Sequence, residues 1–228
     1  MAPTVINVQG KAKLYRVAER AKLDIEISSS EYEQSTASAN VVTTVSSLQN
    51  QLDEICTRAD NGEISPSAPV SFYSIGSLTT SSDDEYDEDH NKTGKRLYKA
   101  TSSVDIRFRD FAKLGEMVVA FSTVPFVSLQ GIEWKLTEEK QAALEEQAKL
   151  DALRHAFKRA TGYADVIGRR NVTPVKIDDT HYMFAEGRVM QTARKVSSNA
   201  SYGIGVGLDF EPQQVEVNAT LEVEFHAE

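Results

Sequence analysis

Between Val215 and Phe225 the chain alternates without a fault. Val215, Val217, Ala219, Leu221, Val223 and Phe225 occupy one phase, and Glu216, Asn218, Thr220, Glu222 and Glu224 the other. A period of two puts the apolar set on one face of a β-strand and the polar set on the other, so the segment must sit in a sheet with one covered face and one wet face. Such a sheet needs a cover.

The strongest helix of the sequence can supply it. From Thr137 to Thr161 the chain is rich in Ala, Leu, Glu, Lys and Gln, and Glu145 stands four residues before Lys149 as a favourable pair along the helix. Ala148, Ala152, Ala156 and Ala160 recur one turn apart and form a ridge of small side chains that lets a helix approach its neighbour closely. Leu144, Leu153 and Phe157 widen the stripe, and Gly162 is the expected terminator.

The rest of the chain repeats this grammar. Val5 to Gln9 forms a short apolar strand that Gly10 interrupts, and Leu23, Ile25 and Ile27 alternate with Asp24 and Glu26 in a second strand. Ser30 followed by Glu33 is a capping-box pattern, and it opens a helix whose apolar stripe runs through Val41, Val45, Leu48, Leu52, Ile55 and Ala59 to a stop near Gly62. Val70, Phe72 and Leu78 pair with Tyr98 to Phe108 as a hairpin, with residues 80–95 as an inserted acidic loop. Asp110 caps a short helix through Phe111, Leu114, Val118 and Phe121 that Pro125 ends. Val127 and Leu129 then lie out of phase with Ile132, Trp134 and Leu136, which predicts a β-bulge at Gly131. Val175 and Ile177 begin a strand, and 178–212 reads as irregular. The fold class is α+β: two long helices and one short helix packed on mainly antiparallel sheets, in one domain over 1–228 that can divide into two subdomains.

Charge and composition limit the function classes. A net charge of -9 and a pI near 5.1 argue against nucleic acid as the main partner, because that role favours a basic face. No window has the length of a membrane-spanning helix, and the opening MAPTVINVQG has neither the basic start nor the apolar run of a secretory signal, so a cytoplasmic protein is expected. The single cysteine, Cys56, lies beside an apolar helical stripe and reads as a core thiol.

Four segments invite chemistry. Asp83 to Asp89 holds six carboxylates in seven residues but has no EF-hand spacing, so a solvated loop or an electrostatic contact accounts for it better than a calcium site. A basic partner exists in the stretch from Arg154 to Lys195, which carries nine Lys or Arg against four Asp or Glu. Asp178, Asp179, His181 and Tyr182 are the one compact acid–base group, with His181 as proton carrier and an aspartate to orient it; no nucleophile stands in a diagnostic context beside them. His155 reads as a helix-surface residue paired with Asp151. Gly203, Gly205 and Gly207 resemble a phosphate loop only superficially, since Pro212 and a strand follow where such a loop needs a helix. No cofactor and no metal site is predicted.

Three stretches together resemble the SIMPL-domain family, which includes bacterial periplasmic immunogenic proteins. They are Ile6 to Gly10 with Ala21, Leu23, Ile25 and Ile27; the alanine ladder from Ala142 through Ala160 to Gly162; and Gln214 to Ala219 with the strand to Phe225. The resemblance implies a two-part α+β architecture and, from some bacterial members, ring-like or channel-like oligomers. It carries over no catalytic residue. The chain departs from the family pattern at Ala12, in the acidic insertion, and in the export signal. The functional expectation is a self-associating scaffold or binding module. The alternative is a cofactor-independent enzyme or carrier of a small apolar ligand, with a pocket near 178–212 and Phe184 and Tyr202 close to His181.

Overall fold

The computed structural model describes residues 3–59, 62–86, 91–181, 208 and 210–228, with residues 180 and 181 described for their backbone only. In chain order the elements are β1 (Thr4–Val17), β2 (Arg20–Glu31), α1 (Gln34–Ile55), β3 (Val70–Ile75), β4 (Thr79–Tyr86), β5 (Lys92–Phe108), α2 (Phe111–Ser122), β6 (Val127–Lys135), α3 (Glu138–Val166), β7 (Val172–His181) and β8 (Gln214–Ala227). The fold is α+β with antiparallel sheets, and the described residues divide into two compact units.

One unit holds β1, α3, β7 and β8. Its sheet runs β1-β8-β7, with the faultless strand in the centre and Ile6 opposite Phe225 in the β1–β8 ladder. Its core joins Ile6 and Val8 of β1, Ala219, Leu221, Val223 and Phe225 of β8, and the alanine ridge of α3. The ridge extends one turn beyond the sequence expectation, to Ala164, because α3 continues through Gly162. Gly168, with φ +70, follows the helix instead. A helix packed along its length on a sheet tolerates one glycine in its interior, since burial of the ridge outweighs a cost of about 1 kcal/mol. Phe157 of α3 meets Phe225 edge to face, with ring centroids 4.9 Å apart.

Gly10 likewise does not interrupt its strand: β1 runs unbroken for 14 residues. A Cβ on Gly10 would lie 2.0 Å from the carbonyl oxygen of Ala152. The glycine is therefore the place where the helix backbone rests on the sheet, and the small residues on both sides belong to one contact.

The second unit holds the β3-β5-β2-β6 sheet, with β4 also paired to β5, and helices α1 and α2. Leu23, Ile25 and Ile27 of β2 and Val104, Ile106 and Phe108 of β5 are buried with Val41, Leu48 and Leu52 of α1 and Leu114 and Phe121 of α2. Asp110 accepts the Ala112 and Lys113 amides at 2.9 and 3.1 Å and so caps α2 as its position predicts. The register also shifts as predicted: Asp24 faces Gly131 and Ile25 faces Leu129, which leaves Gln130 as the extra residue.

Two local expectations differ. Ser30 remains in β2 opposite Lys99, so it cannot cap α1, which starts after Glu33 without a side-chain cap and ends at Ile55. Cross-strand pairing takes the serine before the helix can use it. The stretch expected as an acidic loop is largely strand, because β4 pairs with β5 from Thr79 opposite Thr101 to Tyr86 opposite Lys92. Asp84 finds bases on the next strand, bonding Lys92 and standing 3.6 Å from Arg96, while Glu85 accepts from the hydroxyls of Tyr32 and Thr93. Asp87, Glu88 and Asp89 lie outside the described residues.

Candidate functional site

The polar phase of β8 runs along the centre of the sheet face turned away from α3, the open face, which no described helix or strand of this unit covers. Alternation turns Glu222 and Glu224 away from α3, and their neighbours across the ladder, Gln9 and Asn7 on β1, turn the same way. On the other side Lys176 and Asp178 of β7 stand opposite Glu224 and Glu222. Together they line a shallow concavity of about 510 Å³. Its side chains set three carboxylates against one ammonium, beside the amides of Asn7 and Gln9. Lys176 donates to Asp178 at 2.6 Å, and this bond, reinforced by the charges of Asp178, Glu224 and Glu222, pushes the Lys176 ammonium above its usual range. Further along the same face Lys13 bonds Glu216 at 2.9 Å; that bond, with one to Asn218, holds the Glu216 carboxyl below its usual range. The surface is polar, and two of its carboxylates, Asp178 and Glu216, are paired with lysines. No group of three His, Cys, Asp or Glu among the described residues is placed to hold a metal ion.

Of the predicted acid–base group, the side chains of the two aspartates are described. Asp178 faces the open side with Lys176, whereas Asp179, the next residue, bonds Lys149 of α3 at 3.4 Å on the covered side. The two aspartates thus bond different lysines, Lys176 of the same strand and Lys149 of the helix. The backbone of His181 pairs opposite Thr220 as the last residue of β7. Tyr182, Phe184, Tyr202 and the glycines at 203, 205 and 207 lie outside the described residues. The segment expected to be irregular therefore begins as four more residues of strand.

His155 has a role that sequence spacing could not indicate. Its Nδ1 accepts the backbone N–H of Lys11 at 3.0 Å, while Asp151, its expected partner, bonds Arg154 and Gln147. One turn on, Arg159 donates to the carbonyl of Gln9 at 2.7 Å and to the hydroxyl of Tyr163 at 2.9 Å. Thus one flank of α3, at a spacing of four residues, fastens to the outer edge of β1, and Lys149 fastens the helix to β7 on the other side. The residue types were readable; the partners, some 150 positions away, were not.

In the second unit Cys56 is buried, and burial, helped by the charge of Asp53, pushes its thiol above its usual range. A thiol so placed is held protonated and shielded. No helix among the described residues is long and apolar enough to cross a membrane.

No curated protein matches the chain. The family model SIMPL, described as a protein of unknown function (DUF541), matches residues 6–225. That match begins at Ile6 and ends at Phe225, two residues paired with each other in the β1–β8 ladder, and so takes in both units and all the elements between. The chain belongs to the SIMPL family.

Proposed function

We propose that this chain is a non-catalytic module that self-associates and serves as a scaffold or binding protein. The observation that carries the reading is the outer side of β7. Among the described residues no strand pairs with it there, and Val175 and Ile177 remain about half exposed, at 53% and 49%. An edge strand with free amide and carbonyl groups and exposed aliphatic side chains is a surface on which another chain can add. The polar, carboxylate-rich open face of the same sheet offers little to a small apolar ligand.

Light scattering coupled to size-exclusion chromatography, at low and high salt, tests the reading. Expected is one defined mass that is a multiple of the 25.2 kDa chain and that persists at high salt, because main-chain pairing and apolar contact are little screened. The double substitution Val175→Lys and Ile177→Lys should reduce that mass. A parent protein that is monomeric at micromolar concentration overturns the proposal.

A further inference from the structure

The outer edge of β1 is self-complementary, yet its centre is occupied by two side chains of its own helix. Because the Lys11 amide and the Gln9 carbonyl reach His155 and Arg159, they point away from β8. In an antiparallel ladder the alternate residues share that orientation, so the amides and carbonyls of the odd-numbered residues from Val5 to Val17 point outward, and besides Gln9 and Lys11 only the Tyr15 carbonyl, which accepts from Arg16 at 3.1 Å, has a side-chain partner among the described residues. Suppose a second copy of β1 lay antiparallel to the first about a two-fold axis at Gly10. Gln9 would face Lys11, Asn7 would face Lys13 and Val5 would face Tyr15, each in a mutually hydrogen-bonded pair. No like charges would stand opposite, and the exposed Val5 and Tyr15 would cover one another. Within the strand only the exposed Arg16, bonded to the Tyr15 carbonyl, would have to give way.

We propose that His155 and Arg159 guard this edge against strand addition by a second copy of the chain. They take up the donor and the acceptor on either side of the two-fold point, where pairing would have to close. Arg159 is held ready by the Tyr163 hydroxyl, with its guanidinium 5.7 Å from the centre of that ring. The guard depends on the contact between Gly10 and Ala152, which brings the helix low enough for its flank to reach round the strand. Self-association, where it occurs, is thereby directed to other edges.

The test compares the parent with His155→Ala/Arg159→Ala, and with that pair combined with Lys11→Pro, which deletes the edge amide without touching the β8 ladder. Expected is a smallest species of twice the parent's mass for the double variant and a return to the parent's mass for the triple. A double variant with unchanged far-UV circular dichroism and unchanged mass overturns the guard, as does a mass increase that Lys11→Pro leaves in place. If the double variant does not fold, amide exchange in the parent decides. The Lys11 amide should exchange at least about tenfold more slowly than the outward-facing amides of Asn7 and Lys13. Equal rates refute the guard. The parent's own mass tests the self-association reading, so the two ideas fail separately.

Discussion

Gly10 and Ala152 are in backbone contact: a Cβ on the glycine would lie 2.0 Å from the alanine's carbonyl oxygen and 3.0 Å from the Cβ of Ala156. The obstacle is mostly main chain of a long helix, which cannot move aside as a side chain can. Gly10→Ala should therefore lift α3 from the sheet and lower stability in urea by about 3 kcal/mol, at the upper end of overpacking costs. It should also free the Lys11 amide from His155. A loss below about 0.5 kcal/mol would show that the two backbones are not pressed together.

Gly162 is the opposite case. It lies inside α3, and a Cβ there would meet nothing within 4 Å. Gly162→Ala should add about 0.5–1 kcal/mol by removing the helical cost of glycine, read as a higher urea midpoint with an unchanged slope. Destabilisation would mean that the helix ends nearer Gly162, where sequence reading places its stop.

Why the sequence misplaced that stop is physical. Local punctuation marks where a helix can end, but α3 continues because Ala164 still has sheet to cover. Gly10 misleads for the same reason, since a glycine needed for close approach looks identical to one that breaks a strand. The elements with a strict period were legible: β8, β2, the alanine ridge, and even the bulge at Gly131. The polar strands β4 and the end of β7 were not, because their pairing comes from strands that follow them rather than from an apolar phase of their own. The edge guard was invisible for a stronger reason: nothing in the spacing of His155 and Arg159 points to Gln9 and Lys11.

Phe225 is fully buried and meets Phe157 edge to face at 4.9 Å. Phe225→Ala should cost about 3–5 kcal/mol, the usual loss for a large aromatic removed from a core. In a double-mutant cycle with Phe157→Leu the coupling should be about 1 kcal/mol, the contribution of ring geometry beyond buried area. Additive losses would assign Phe157 to coverage alone.

Asp24 and Asp105 stand directly opposite one another on β2 and β5, with the Lys22 ammonium 2.6 Å from the first and 3.7 Å from the second. The bond to Asp24, together with burial, pushes the Asp105 carboxyl above its usual range. Burial pushes Asp24 up too, but its bonds to Asp105 and Lys22 outweigh this and hold it below. A carboxyl that is raised on folding contributes stability below its unfolded value and loses it as pH rises through the raised one; Asp24 does the reverse. At neutral pH Asp105 is thus a charge the fold would shed. Asp105→Asn should stabilise the protein near pH 7, by only about 0.5 kcal/mol because the side chain is 41% exposed and screened by solvent. The gain should vanish as pH falls below the ordinary aspartate range, where Asp105 is protonated in both states. Urea midpoints of parent and variant across that range measure it. A difference independent of pH, or a variant less stable at pH 7, would show that Lys22 already neutralises the pair.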